Sequence, residues 1–97
     1  MPEYRKKPIV IEAVLYVGRG NVEPRGAVPD WIWDAFEDGT LYATNGSDPL
    51  LIETLEGPLT VRPGWWIIQG VQGELYPCDP DIFDATYEPV KNGRSES

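Results

Sequence analysis

The sequence contains no histidine and only one cysteine, Cys78, among its 97 residues. The missing histidine removes the side chain that most often serves as a general base, a metal ligand or a switch near neutral pH. A lone cysteine excludes an internal disulfide and is typical of proteins from reducing compartments. Both absences argue against an enzyme and against a disulfide-stabilised secreted scaffold.

Positive charge is scarce and unevenly distributed. The formal net charge is -8, and between residues 26 and 90 the only base is Arg62, against twelve acids. Such a chain repels phosphate backbones, so we expect no binding to nucleic acid. Its acidity would attract a protein with a basic or mixed surface, but acidity also serves solubility alone.

Long apolar runs are missing as well. No run approaches the roughly 18 residues of a membrane-spanning helix, and Glu12 interrupts the apolar N-terminal stretch, which does not resemble a signal peptide. We therefore expect a cytoplasmic protein without membrane insertion. A chain of this length forms one domain, which we assign to residues 1–90, followed by a flexible tail at residues 91–97.

The ten prolines and ten glycines separate short apolar segments. Residues 8–17 are apolar on both faces, which predicts a strand at the centre of a sheet, followed by a loop over residues 18–27. Turn residues such as Pro63-Gly64 separate the later segments. Five more strands are predicted, at residues 41–43, 50–55, 58–62, 65–68 and 74–76. Strands joined by such short turns pair antiparallel.

Two short helices complete the pattern. Residues 29–38 are amphipathic and are followed by Gly39, a typical helix stop. Asp79-Pro80 predicts a second helix start, with a short buried face formed by Ile82, Phe83 and Thr86. The sequence therefore predicts an α+β fold, a curved antiparallel meander with two short helices, or alternatively a partly closed small barrel.

Residues 59–88 form LTVRPGWWIIQGVQGELYPCDPDIFDATYE. This segment resembles VxPGDWIIxGVxGExYPCxPDIFxxTYE, a motif of a group of small phage and prophage proteins, and residues 4–13 are similar to their first strand. The matching positions are Val61, Pro63, Gly64, Trp66, Ile67, Ile68, Gly70, Val71, Gly73, Glu74, Tyr76, Pro77, Cys78, Pro80, Asp81, Ile82, Phe83, Thr86, Tyr87 and Glu88. The resemblance implies a phage origin and a common fold, and it implies no reaction. Trp65 departs from the motif, because an Asp is usual there.

Two groups of residues could suggest chemistry. Cys78 precedes a helix start, which can activate a thiol, but Asp79 and Asp81 would oppose the thiolate, and a small buried side chain is the simpler interpretation. Asp79, Asp81 and Asp84 resemble part of a calcium loop, but they lack its Gly and its final Glu, and helix capping explains the first two. We predict no catalytic residue, no metal and no cofactor.

A contact surface is the more specific expectation. On a helical wheel, Trp33 lies outside the apolar stripe of its helix, beside Asp34 and Glu37. An exposed Trp among acids is typical of a contact surface, unless the loop at residues 18–27 covers it. Trp65 replaces a polar residue, so we expect it to be exposed also. The predicted partner-binding residues are Trp33, Trp65, Asp34 and Glu37, whereas Trp66 is assigned to the core.

The expected function is that of a non-enzymatic, phage-encoded accessory protein in the host cytoplasm, which binds a host protein and modulates host growth or defence. Two alternatives stay open: a protein that sequesters a small ligand such as a nucleotide signal, and a minor virion component. Homo-oligomerisation is compatible with each of these interpretations.

Overall fold

The computed structural model describes residues 2–3, 9–19, 21–23, 28–43 and 48–89. The predicted tail at residues 91–97 lies outside these ranges. The elements in chain order are β1 (Glu12–Gly18), β2 (Asn21–Glu23), α1 (Asp30–Glu37), β3 (Leu41–Ala43), β4 (Leu50–Thr54), β5 (Gly57–Val61), β6 (Trp66–Gln69), β7 (Leu75–Cys78) and α2 (Pro80–Thr86). The α+β class is confirmed.

The strands form two antiparallel sheets instead of one continuous meander. The first sheet has the strand order β2-β1-β6-β7, and the second has the order β3-β4-β5. Among the described residues neither sheet closes into a barrel. The break falls between β5 and β6, which follow each other in the chain but belong to different sheets.

Pro63-Gly64 forms the corner at which the chain changes sheet. Gly64 adopts a φ of 91°, which glycine accepts without steric cost. The Gly64 amide donates to the carbonyl of Tyr16 at 2.7 Å, and the Tyr16 amide donates to the carbonyl of Trp65 at 2.8 Å. After the turn the chain is therefore paired with β1, and β6 continues that pairing instead of returning along β5.

The predicted central position of β1 is confirmed, since it pairs with β2 on one side and with β6 on the other. The strand begins at Glu12, later than expected. The predicted loop at residues 18–27 contains a strand, β2, which the sequence did not reveal. Gly18 and Arg19 take positive φ values of 113° and 57° and reverse the chain between the two strands.

The main core lies between the first sheet, the second sheet and α1. We call the side of the first sheet that faces this core its inner face, and the opposite side its outer face. The buried side chains of the cluster are Val14, Tyr16, Val22, Ile32, Ala35, Leu41, Leu50, Ile52, Val61 and Ile67. At roughly 25 cal/mol per Å² of apolar surface removed from water, this burial is the chief stabilising contribution.

α1 forms where the amphipathic pattern predicted it. Ile32 and Ala35 are buried, while the opposite side of the helix faces solvent. Trp31 donates its indole N–H to Glu12 at 2.8 Å, which joins the helix to the start of β1. The helix ends at Glu37, and Gly39 follows with a φ of 87°.

α2 begins as predicted, with Asp79 as its N-cap. The Asp79 carboxylate accepts from the amide of Asp81 at 2.8 Å, which satisfies a donor of the first turn. The predicted buried face is wrong in part. Ile82 is 60% exposed and Thr86 is exposed, whereas Phe83 is half-buried. The helix turns Phe83, and not Ile82, toward the sheet.

Candidate functional site

Three of the predicted partner-binding residues lie together on the solvent side of α1. Trp33 is 57% exposed, and Asp34 and Glu37 are also exposed. Trp33 and Glu37 are four residues apart, so their side chains are neighbours on the helix surface. We call the side chains of Asp30, Trp33, Asp34 and Glu37 the α1 surface.

Trp65, the fourth predicted residue, does not lie on α1, and it is less exposed than expected. It is half-buried and packs against the main core, immediately before β6. A Trp in the place of an Asp therefore does not mark an exposed position here. The structure separates Trp65, which contacts the core, from the exposed Trp33.

The assignment of Trp66 to the core is also wrong. This residue is half-buried rather than a member of the main core, because side chains alternate along a strand and Ile67 takes the inward position. The Trp66 ring stacks on Phe83 of α2, with centroids 4.1 Å apart and planes inclined by 8°. Trp66 thus belongs to the outer face of the first sheet.

An apolar groove opens beside this stacked pair. It has a volume of about 320 Å³. We call it the outer groove, and its lining residues are Ile9, Val10, Ile11, Ala13, Trp66, Phe83, Tyr87, Glu88 and Pro89. Sequence reasoning missed it, because its walls come from segments more than fifty residues apart in the chain.

Two titratable groups on the outer face have altered acidity. Burial, together with a side-chain hydrogen bond with the neighbouring Tyr87, raises the pKa of Tyr76 to about 12. Burial and the charge of Asp79 raise the pKa of the Cys78 thiol. Cys78 is thereby kept in the thiol form at neutral pH, which is the less nucleophilic form.

The aspartates around α2 are used in local structure. Asp79 caps the helix, and Asp81 lies in its first turn, where a negative charge favours the helix dipole. Within the described ranges, no three or more His, Cys, Asp or Glu side chains are grouped so that they could hold a metal ion.

A polar cluster that the sequence did not indicate joins β1 to the segment before β4. The buried Tyr16 donates its hydroxyl to the Asp48 carboxylate, and the Arg19 amide donates to the same oxygen at 2.7 Å. These two donors, the Tyr16 hydroxyl first, hold the pKa of Asp48 below its usual range. The cluster links the two sheets and has a structural role.

The α1 surface and the outer groove lie on different elements of the protein, which leaves two candidate contact sites. No family model, no curated protein and no solved structure matches the chain. Neither helix in the described part of the chain is long and apolar enough to cross a membrane.

Proposed function

We propose that this chain is a non-enzymatic, phage-encoded accessory protein of the host cytoplasm, and that it acts by binding a host protein with a basic or mixed surface. The phage origin rests on the motif between residues 59 and 88. The observation that supports binding most directly is the exposure of Trp33 on the α1 surface.

An exposed Trp has an energetic cost that the fold itself does not offset. Its large apolar ring is left in water, while Ile32 and Ala35 on the same helix are buried. Trp is also among the residues that contribute most at protein interfaces. A partner that covers Trp33 would recover the free energy of burying this ring.

The charges around Trp33 favour a basic partner. Asp30 and Glu37 lie three residues before it and four residues after it, and both carboxylates are exposed beside it on the helix. A carboxylate rim adds little affinity in water, but it accelerates encounter with a positive surface and disfavours negative ones.

The side chains of the protein also favour binding over catalysis, because they include no activated nucleophile and no histidine base. The chain has no histidine, and its one thiol has a raised pKa. A nucleophile without a neighbouring base or a lowered pKa is a poor one.

Affinity capture from a lysate of the host bacterium tests the proposal, with Trp33→Ala compared against wild type. The matched control is Leu55→Ala, which removes another exposed apolar side chain, at the β4–β5 turn. We expect a protein that is enriched equally by wild type and Leu55→Ala and lost with Trp33→Ala. An anchor of this kind contributes about 2 kcal/mol or more, which is roughly thirtyfold in Kd.

A second variant, with Asp34→Asn and Glu37→Gln combined, tests the rim. It should slow association with the captured protein and reduce the dependence of association on salt concentration, while dissociation changes little. If Trp33→Ala retains every wild-type partner, or if Leu55→Ala loses the same partners, the α1 surface is not the binding site.

A further inference from the structure

The outer groove combines an apolar recess with apolar side chains that face solvent. Ile9 and Val10 line the groove and are 52% and 73% exposed. We call these two residues the exposed wall. The rings of Trp66 and Phe83 line the same groove and are half-buried. One face of the protein thus carries both a recess and aliphatic side chains of a size that could enter such a recess.

The segment that carries the exposed wall also lacks a strand partner. The sequence predicts a strand from residue 8, but β1 begins at Glu12, where its pairing with Gln69 of β6 starts. Within the described part of the chain, residues 9–11 belong to no strand. Unpaired backbone beside exposed apolar side chains is a combination through which chains associate.

Charge helps to select the occupant of the groove. Glu88 is the one charged residue among those that line it, although the formal net charge of the chain is -8. A basic protein finds more complementary charge on the α1 surface than here. Two acidic copies of the same chain repel each other least where their facing surfaces carry little charge, and the outer groove meets this condition.

We propose that the outer groove is the interface of a symmetric dimer, in which the exposed wall of each copy packs into the groove of the other. A two-fold axis permits this arrangement, because each copy presents both the wall and the recess on the same face. Val10 of one copy would then contact Phe83 of the second copy, and the reverse contact would form across the axis.

Such a dimer leaves both α1 surfaces accessible. Ile32 and Ala35 of α1 pack in the main core, on the inner side of the first sheet, whereas the groove opens on the outer side. The dimer therefore presents Trp33 twice, which would increase avidity for a partner with repeated sites. The dimer itself does not depend on the identity or the existence of that partner.

Sedimentation equilibrium of the full chain measures the association directly. The contact is confined to one groove and its wall, so it falls among the smaller protein interfaces, and we expect a Kd on the order of 10 µM. Added salt should tighten the dimer about threefold, because it screens the repulsion between two acidic copies and leaves an apolar contact intact. Weakening by salt would indicate ion pairs and contradict an apolar interface.

A pair of variants tests the exposed wall. Val10→Glu places a charge where the second copy would bury it and should weaken the dimer about tenfold or more. Leu55→Glu is the matched control, because it adds the same charge at a fully exposed apolar residue of the second sheet. It should change the Kd by less than about twofold. Circular dichroism should show the wild-type fold for both variants.

Nuclear magnetic resonance locates the interface in the wild-type protein. In a mixture of isotope-labelled and unlabelled copies, filtered nuclear Overhauser spectra report only contacts between copies. We expect such contacts between the methyl groups of Val10 and the ring of Phe83.

Several results would overturn the proposal. They are a monomer at every soluble concentration, an equal loss of dimer in Val10→Glu and Leu55→Glu, and contacts between copies that lie only on other surfaces. A monomeric chain that binds the neutral probe N-phenyl-1-naphthylamine in the groove would assign it to a small molecule instead. A monomeric chain that loses a captured host protein on Val10→Glu would assign the groove to that protein.

Discussion

The two faces of the first sheet are both apolar, but they are covered to very different extents. On the inner face, Val14 and Ile67 pack against the second sheet and α1 and are almost completely buried. On the outer face, Ile68 is buried, but Trp66 is only half-buried and a groove is open beside it. Strands with the same alternation of residues thus form a closed core on one face and an open surface on the other.

This difference separates the part of the protein that maintains the fold from the part available for binding. A closed core tolerates little change in volume, because each side chain there contacts neighbours on all sides. An open, aromatic face tolerates substitution better and can admit a ligand. Chemically similar residues on the two faces should therefore differ strongly in how much their substitution lowers the free energy of unfolding.

The largest expected effect is on the inner face. Ile67→Ala should lower the free energy of unfolding by about 3 kcal/mol, since it removes buried methyl groups and leaves a cavity. Ile82→Ala removes the same atoms from an exposed position on α2 and should change the free energy of unfolding by less than about 0.5 kcal/mol. Urea unfolding measures both values. Similar losses would contradict the distinction between the two positions.

The next effect concerns Trp65, whose position differs from the one its sequence context suggested. Trp65→Ala should lower the free energy of unfolding by about 2 kcal/mol, because the half-buried ring packs against the main core. Trp33→Ala is the control, and its effect should be within about 0.5 kcal/mol. Equal melting temperatures for the two variants would mean that Trp65 contributes nothing to the core.

A smaller effect is expected on the outer face. Phe83→Ala removes the ring that stacks on Trp66 and should lower the free energy of unfolding by about 1 kcal/mol, since the contact is only half-buried. Phe83→Leu retains apolar volume and should recover part of this loss. A loss as large as that of Ile67→Ala would show that the outer face is as essential to the fold as the inner one.

The smallest effect depends on pH and concerns the link between the sheets. The pKa of Asp48 is lower in the folded protein than in the unfolded chain, so its carboxylate contributes stability above about pH 4. That contribution is lost as the pH falls through the folded value. Asp48→Asn should therefore lower the melting temperature at about pH 7, and this difference should shrink as the pH falls below about 4. An effect that is independent of pH would exclude the charge as its cause.

Local features of the fold follow from the sequence alone. The positions of Ile32 and Ala35 predict the buried stripe of α1, and they leave Trp33 outside it. Asp79 predicts the start of α2, because a side-chain acceptor before Pro80 satisfies the first free amides. Each of these features depends on residues within a few positions of one another.

Long-range features do not follow from the sequence. Alternation places Trp65 and Trp66 on opposite faces at the start of β6, but it does not say which face is the core. That choice depends on which strand pairs with the chain after Gly64. The strand that does so is β1, about fifty residues away. The outer groove is hidden for the same reason, since Ile9 and Phe83 meet only in the folded chain.

The corner at Pro63-Gly64 also has a consequence for the order of folding. β3, β4 and β5 pair with their neighbours in the chain, so the second sheet closes only short loops. β1 finds its central partner only when β6 has been synthesised, and closing so long a loop has a larger entropic cost. We expect pulsed hydrogen exchange during refolding to protect amides of β4 before those of β1. Until then β1 can pair only with β2, its neighbour in the chain.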